Sequence, residues 1–132
     1  RQGYLLAGDP ALLARVAECS AQWSVSAPAQ AAGLAALAEP GWEARTRRLV
    51  AEERAYLAHA LSACGMRVFE SDANFLLLKC ETPLYAPLLA RGVLVRDCGN
   101  FTGLDQRFIR VGIQTHENNQ ALVSAIPEVL NG

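Results

Sequence analysis

Hydrophobic positions along this chain change their period near Gly65. Before it, apolar residues recur every three to four positions, the spacing that lines one face of a helix. After it they alternate with polar ones, as in a strand buried on one side. The short run Gly3-Tyr4-Leu5-Leu6-Ala7 reads as a buried strand. Asp9-Pro10 then supplies a side-chain cap and a proline at the first helical position, opening a helix to about Cys19. Trp23-Ser24-Val25-Ser26 is an extended connector, with Trp23 as a packing anchor between the flanking helices. From Pro28 to about Ala38 an alanine-rich run predicts a helix, stopped by Pro40-Gly41. Residues 42–64 predict a long helix with Leu49, Val50, Leu57 and Leu61 on one side and arginines on the other. Gly65 ends it as a left-handed cap.

Beyond Gly65, residues 66–70 and 74–79 predict two strands, the second more buried. Residues 83–91 predict a helix capped by Gly92, 93–96 a third strand, 97–106 a loop, and 107–113 a fourth strand. Thr115 caps a final helix to about Leu130. This order predicts an α/β fold of the two-layer α+β kind: a small mixed sheet of about four strands, covered by helices on one face and preceded by a helical N-terminal arm. Three parts are expected: a strand and helices in 1–41, a linking helix in 42–64, and a C-terminal α/β domain in 65–132. Neither a repeat nor a low-complexity linker interrupts them.

Composition narrows the function classes. A chain of 132 residues, 52% hydrophobic and 19% charged, suits one globular domain with a dependent arm. Twelve basic residues against 13 acidic ones leave a net charge of −1, which offers no field for nucleic acid or an anionic membrane. No apolar run reaches the ~18–20 residues of a membrane helix, and no signal peptide opens the chain. Cys19, Cys64, Cys80 and Cys98 are widely spaced, and with His59 and His116 they compose no metal-ligand set. A reducing, cytoplasmic setting is expected. The chain starts at Arg1, inside a predicted strand, with its only methionine at Met66, so further sequence upstream is also expected.

Arg110 is the most informative single residue. In Phe108-Ile109-Arg110-Val111-Gly112-Ile113, the two-residue period puts Ile109, Val111 and Ile113 on one face and Phe108, Arg110 and Gly112 on the other. Gly112 leaves space in which a small molecule can reach the guanidinium, whose planar fork suits a carboxylate. The competing reading is an ion pair on a strand. Arg96 ends a strand and enters the glycine-containing loop Asp97-Cys98-Gly99-Asn100-Phe101, a usual place for ligand contacts. It could equally be a solvated arginine paired with Asp97 or Asp105. Arg1, taken alone, is a surface residue. Lys79, the only lysine, reads as a strand-end residue reaching solvent. Cys98 beside Arg96 is a candidate thiolate; His59 and His116 read as surface residues and Asn74 as a turn cap. No glycine-rich phosphate loop, nucleophile elbow or paired-carboxylate pattern occurs.

Six segments in order carry a resemblance. They are Arg1-Gln2-Gly3-Tyr4, Trp23-Ser24-Val25-Ser26 with Ala29-Gln30-Ala31-Ala32, Ala73-Asn74-Phe75-Leu76-Leu77, Gly92 through Asp97, Phe108-Ile109-Arg110-Val111, and Glu117-Asn118. Together they resemble the C-terminal part of class I/II (fold type I) pyridoxal-phosphate aminotransferases, in the histidinol-phosphate aminotransferase and threonine-phosphate decarboxylase branch. Gln22 and Ser26 depart from that branch's proline and asparagine. The resemblance implies that Arg110 binds the substrate's α-carboxylate, that Arg96 helps hold a phosphorylated substrate, and that Arg1 contacts the phosphate of pyridoxal 5'-phosphate. It also implies that the Schiff-base lysine, the aspartate on the pyridine nitrogen and the phosphate-cradling loop lie upstream of Arg1. Lys79 does not match that lysine, so the chain alone is expected to bind no cofactor and to turn nothing over. The implied parent is a homodimer acting on a small phosphorylated amino acid or on an amino or keto acid. Two other readings stand beside it: a free-standing α/β module sensing a small acid through Arg96 and Arg110, and a structural domain without a ligand.

Overall fold

The structure, a computed structural model, describes residues 3–131. Arg1, expected to contact a cofactor phosphate, lies outside the described residues. Contacts divide the chain into two compact units, Arg1–Glu43 and Ala44–Gly132.

The first unit carries α1 (Pro10–Cys19) and α2 (Ala27–Ala38). The Asp9 side chain accepts from the Ala11 N–H at 2.9 Å, and Pro10 sits in the first turn, where a missing N–H costs nothing. Helix α2 starts at Ala27, with Pro28 also in its first turn. Neither helix buries a residue. The strand expected at 3–7 is not formed. A strand exists only through a neighbouring backbone, and none pairs with this run among the described residues, where Tyr4 is 90% exposed. Trp23 is likewise no packing anchor: it is 94% exposed, with a φ of 60° that side-chain-bearing residues seldom adopt.

The second unit holds most of α3 (Trp42–Ala63), then β1 (Arg67–Val68), β2 (Phe75–Lys79), α4 (Tyr85–Ala90), β3 (Arg96–Asp97), β4 (Phe108–Gly112) and α5 (His116–Asn131). Gly65 and Gly92 adopt the left-handed φ expected of them, 82° and 77°. Pro87 is the third residue of α4, still within the turn whose N–H groups lack helical acceptors. The third strand forms later than its apolar residues suggested, at Arg96–Asp97, because only there does the chain run beside β4.

The strands lie in the order β1-β2-β4-β3. The sheet expected to be mixed is antiparallel at every described pairing. Strands β2 and β3 do run in one direction, joined through α4, but β4 lies between them. A parallel crossover pair is thereby split, and each strand meets only opposite-running neighbours.

Alternation along β2 and β4 sorts the side chains. Leu76, Leu78, Ile109 and Val111 are buried with Leu57 and Leu61 of α3, Leu88 of α4, and Leu122 and Ile126 of α5. This is the single helix-covered face that the period-two pattern required. Leu49, expected on the buried stripe of α3, remains 43% exposed because that stripe meets the core only from the middle of the helix onward. The opposite sheet face presents Phe75, Leu77, Lys79, Phe108, Arg110 and Gly112.

At the entry to β4, Arg107 Nη2 lies 2.7 Å from Asp105 Oδ2, and its Nη1 lies 3.4 Å from Glu81. Hydrogen bonds from the Arg107 side chain and backbone hold the Asp105 carboxyl below its ordinary range. A depressed carboxylate contributes stability above its unfolded-state pKa and loses it as pH falls through the folded value. Asp105→Asn is therefore expected to lower the thermal midpoint slightly at neutral pH and to converge with the unaltered chain below about pH 4, which flattens the acid limb. The effect should be small and shrink in salt, because the pair is exposed.

Candidate functional site

Arg110 and Arg96 are direct partners across β4 and β3, with Leu77 opposite Arg110 on the other side. Directly opposite residues have Cα atoms only about 4.5–5.5 Å apart, and like charges so placed repel. Among the described residues no carboxylate reaches either guanidinium within ion-pair distance. Neither competing ion-pair reading is therefore met: Asp97 turns its carboxylate to the Gly99 N–H at 2.9 Å, and Asp105 is held by Arg107.

Aromatic rings support both cations instead. The Arg110 guanidinium carbon lies 4.8 Å from the Phe75 ring centroid, and that of Arg96 lies 5.5 Å from the Phe101 ring. Arg96 Nη2 also donates to Asn100 Oδ1 at 3.2 Å. Stacking on a ring fixes the plane of a guanidinium and leaves its N–H edge free for an acid. Sequence reasoning missed Phe75, Phe101 and Asn100. Phe75 was reachable from the alternation of β2 once its register with β4 was known.

Gly112 pairs with Phe75 across the ladder. A Cβ there would meet only the flexible Gln114 side-chain nitrogen, at 3.4 Å. Gly112→Val should therefore leave the thermal midpoint nearly unchanged, within about 1 kcal/mol of stability. The same variant should weaken binding of a small acid, measured by titration, by crowding the space beside Phe75 and Arg110.

Cys98 does not fit a reactive thiolate. It is 2% exposed, and its Sγ lies 3.7 Å from the Arg96 carbonyl oxygen. Burial pushes the thiol up, although Arg110 and Arg96 pull it back. Alkylation of the native chain should accordingly label the exposed Cys19 well before Cys98, as peptide mass mapping would show. Lys79 sits over the Phe108 ring at 5.6 Å, and His59 is exposed. Asn74 contributes its backbone oxygen to Ile113 N–H at 2.8 Å. His116, expected to be a simple surface residue, is half-exposed but lies 3.0 Å from Glu53. Asn118 is exposed, whereas its neighbour Asn119 is buried and fully bonded. A cleft of about 660 Å³ beside Arg54, Glu70 and Asp72 includes neither Arg96 nor Arg110. Among the described residues no group of side chains is arranged to hold a metal ion, and no helix is long and apolar enough to cross a membrane.

The sequence profile of "Aminotransferase class I and II" matches residues 1–126. The chain belongs to the class I and II aminotransferase family. This aminotransferase-family chain is 38% identical over its whole length to the threonine-phosphate decarboxylase of Salmonella typhimurium, of which it covers 37%. It is 40% identical to a histidinol-phosphate aminotransferase of Symbiobacterium thermophilum, with 92% of this chain and 34% of that protein aligned. The crystal structure of histidinol-phosphate aminotransferase from Clostridium acetobutylicum superposes with a TM-score of 0.81 at 28% identity, over 92% of this chain and 38% of that one. The L-threonine-O-3-phosphate decarboxylase of Porphyromonas gingivalis superposes at 0.70 and 26% identity, over 94% of this chain and 40% of that one. The chain thus spans little more than a third of the relatives it matches.

Pyridoxal 5'-phosphate is the cofactor of this family. The described residues do not fit its attachment, because the only lysine, Lys79, rests on Phe108. The exposed face of the sheet carries instead the two ring-supported cations Arg110 and Arg96.

Proposed function

We propose that this chain is the C-terminal, substrate-binding portion of a pyridoxal-phosphate-dependent aminotransferase or amino-acid-phosphate decarboxylase, inactive on its own. Arg110 takes the α-carboxylate of the substrate, and Arg96 steadies its phosphorylated part. Residues 1–41 belong to the large domain of the parent, with Arg1 at the cofactor phosphate; residues 42–64 link it to the small domain of 65–132. The parent works as a cytoplasmic homodimer. The observation that carries this reading is the cross-strand Arg96–Arg110 pair, two cations on aromatic rings with no carboxylate within ion-pair distance among the described residues. An anion placed between them turns a repulsion into two charge-assisted pairs.

The cofactor, when bound in the parent, supplies an electron sink. The contribution of this chain is orientation. A carboxylate gripped in the fixed plane of Arg110 would hold the substrate in one orientation and so decide which bond at its Cα is left to break. That choice separates proton removal from loss of carbon dioxide.

Titration of the chain with O-phospho-L-threonine, L-threonine and inorganic phosphate tests the reading. The phosphorylated amino acid should bind most tightly, and Arg110→Ala should abolish its advantage over phosphate. Equal affinities for the three, or no binding at all, would sink the assignment.

A further inference from the structure

Two consecutive residues of α3, Glu53 and Arg54, grip the two strand ends that frame Arg110 and Phe75. Glu53 is 8% exposed, and its carboxylate accepts from Asn119 Nδ2 at 2.8 Å and lies 3.0 Å from His116 Nδ1. Asn119, 1% exposed, closes on the residue two past the end of β4. Its Oδ1 accepts the Gln114 N–H at 3.1 Å, and its Nδ2 donates to the Gln114 carbonyl at 3.0 Å. Arg54 reaches the other strand: its Nη1 donates to the Ala73 carbonyl at 3.0 Å, two residues before Phe75. Ile113 N–H donates to Asn74 O at 2.8 Å and ties the two ends to each other.

A buried carboxylate is costly unless its oxygens are satisfied, and this one spends its partners on the chain that leaves β4. A helix that merely packed on the sheet would need only Leu57 and Leu61, which are fully buried one and two turns further along. The polar pair does something else. It reaches past the core to the chain just before β2 and, through Asn119, to the chain just after β4, beside the ladder that pairs Phe75 with Gly112.

We infer that Glu53 and Arg54 are positioning residues, holding from α3 the two strand ends that set the pose of the Arg110–Phe75 pair. Their effect on substrate rests on the carboxylate-binding role proposed for Arg110; their effect on the pair itself does not. The test follows the Arg110 side-chain Nε–H signal by nitrogen-15 NMR in the full chain, together with titration by O-phospho-L-threonine. In the unaltered chain the Phe75 ring should shield that signal. Arg54→Met and Glu53→Gln should move it toward the position of a free arginine and weaken binding by about threefold to tenfold, as small misplacements of a positioned group do. Arg54→Lys should restore part of both.

Variants that melt earlier yet keep the Arg110 signal and the affinity, both measured well below the transition, would overturn the inference. Should Glu53→Gln fail to fold, Arg54→Met decides alone, since Arg54 is partly exposed and its loss strands no buried charge. A moved signal in a chain that never binds the probe would uphold the positioning role and remove the carboxylate-binding one.

Discussion

Replacing Arg110 with alanine should lower the parent's kcat/KM by about 10–100-fold, because a charge-assisted pair contributes roughly 1.5–3 kcal/mol. The same change should leave the isolated chain as stable as before, or raise its melting temperature at low salt. It removes one of two arginines paired directly across β3 and β4, neither of which has a carboxylate within ion-pair distance among the described residues. A residue kept for packing behaves in the opposite way, losing stability first and activity only as a consequence. The two readouts together therefore identify the site. Arg110→Lys should fall between, since an ammonium keeps the charge and loses the two-pronged fit to a carboxylate. Steady-state kinetics of the parent and thermal melts of the chain at two salt concentrations suffice. Near-normal kcat/KM in Arg110→Ala would overturn the role.

Leu78→Ala should be the most damaging of the simple truncations. Leu78 is fully buried in β2, with Val68 and Ile109 as its partners on either side, so the cavity would open at the middle of the sheet. Large-to-small changes at such sites cost about 2–5 kcal/mol, against a total of about 5–15 kcal/mol for an ordinary domain. Urea denaturation should show a large drop in midpoint. Leu77→Ala, one residue away on the open face, should cost far less. A similar loss from both would contradict the one-sided core.

Much of this fold was legible because its signals are local. Asp9-Pro10 opens α1 through a cap and a proline that need no tertiary partner, and Gly65 and Gly92 stop elements through a backbone angle that glycine adopts freely. Alternation along 107–113 told which of its residues would be buried and which would share a face with Arg110, whereas the unbroken apolar run 75–78 told only of a buried strand. What required the third dimension was pairing. Gly3–Ala7 has a strand's composition and no neighbouring backbone among the described residues. The third strand is placed by β4 rather than by its own valines, and the direction of every neighbour follows from β4 entering between β2 and β3. The site divided in the same way. Arg110 and Arg96 were visible as arginines on strands. Their facing register, the rings of Phe75 and Phe101, and the Glu53–Asn119 link, 66 positions apart in sequence, depend on contacts that no local spacing encodes.

The split crossover has a consequence for how binding and folding are joined. Because β4 is the last strand made and yet lies inside the sheet, the two arginines become neighbours only when the whole second unit has closed around it. Any anion that seats between them is then a ligand of the finished architecture alone. It should raise the melting point in proportion to the logarithm of its concentration above Kd, so a simple thermal-shift series can report occupancy without any chemistry taking place.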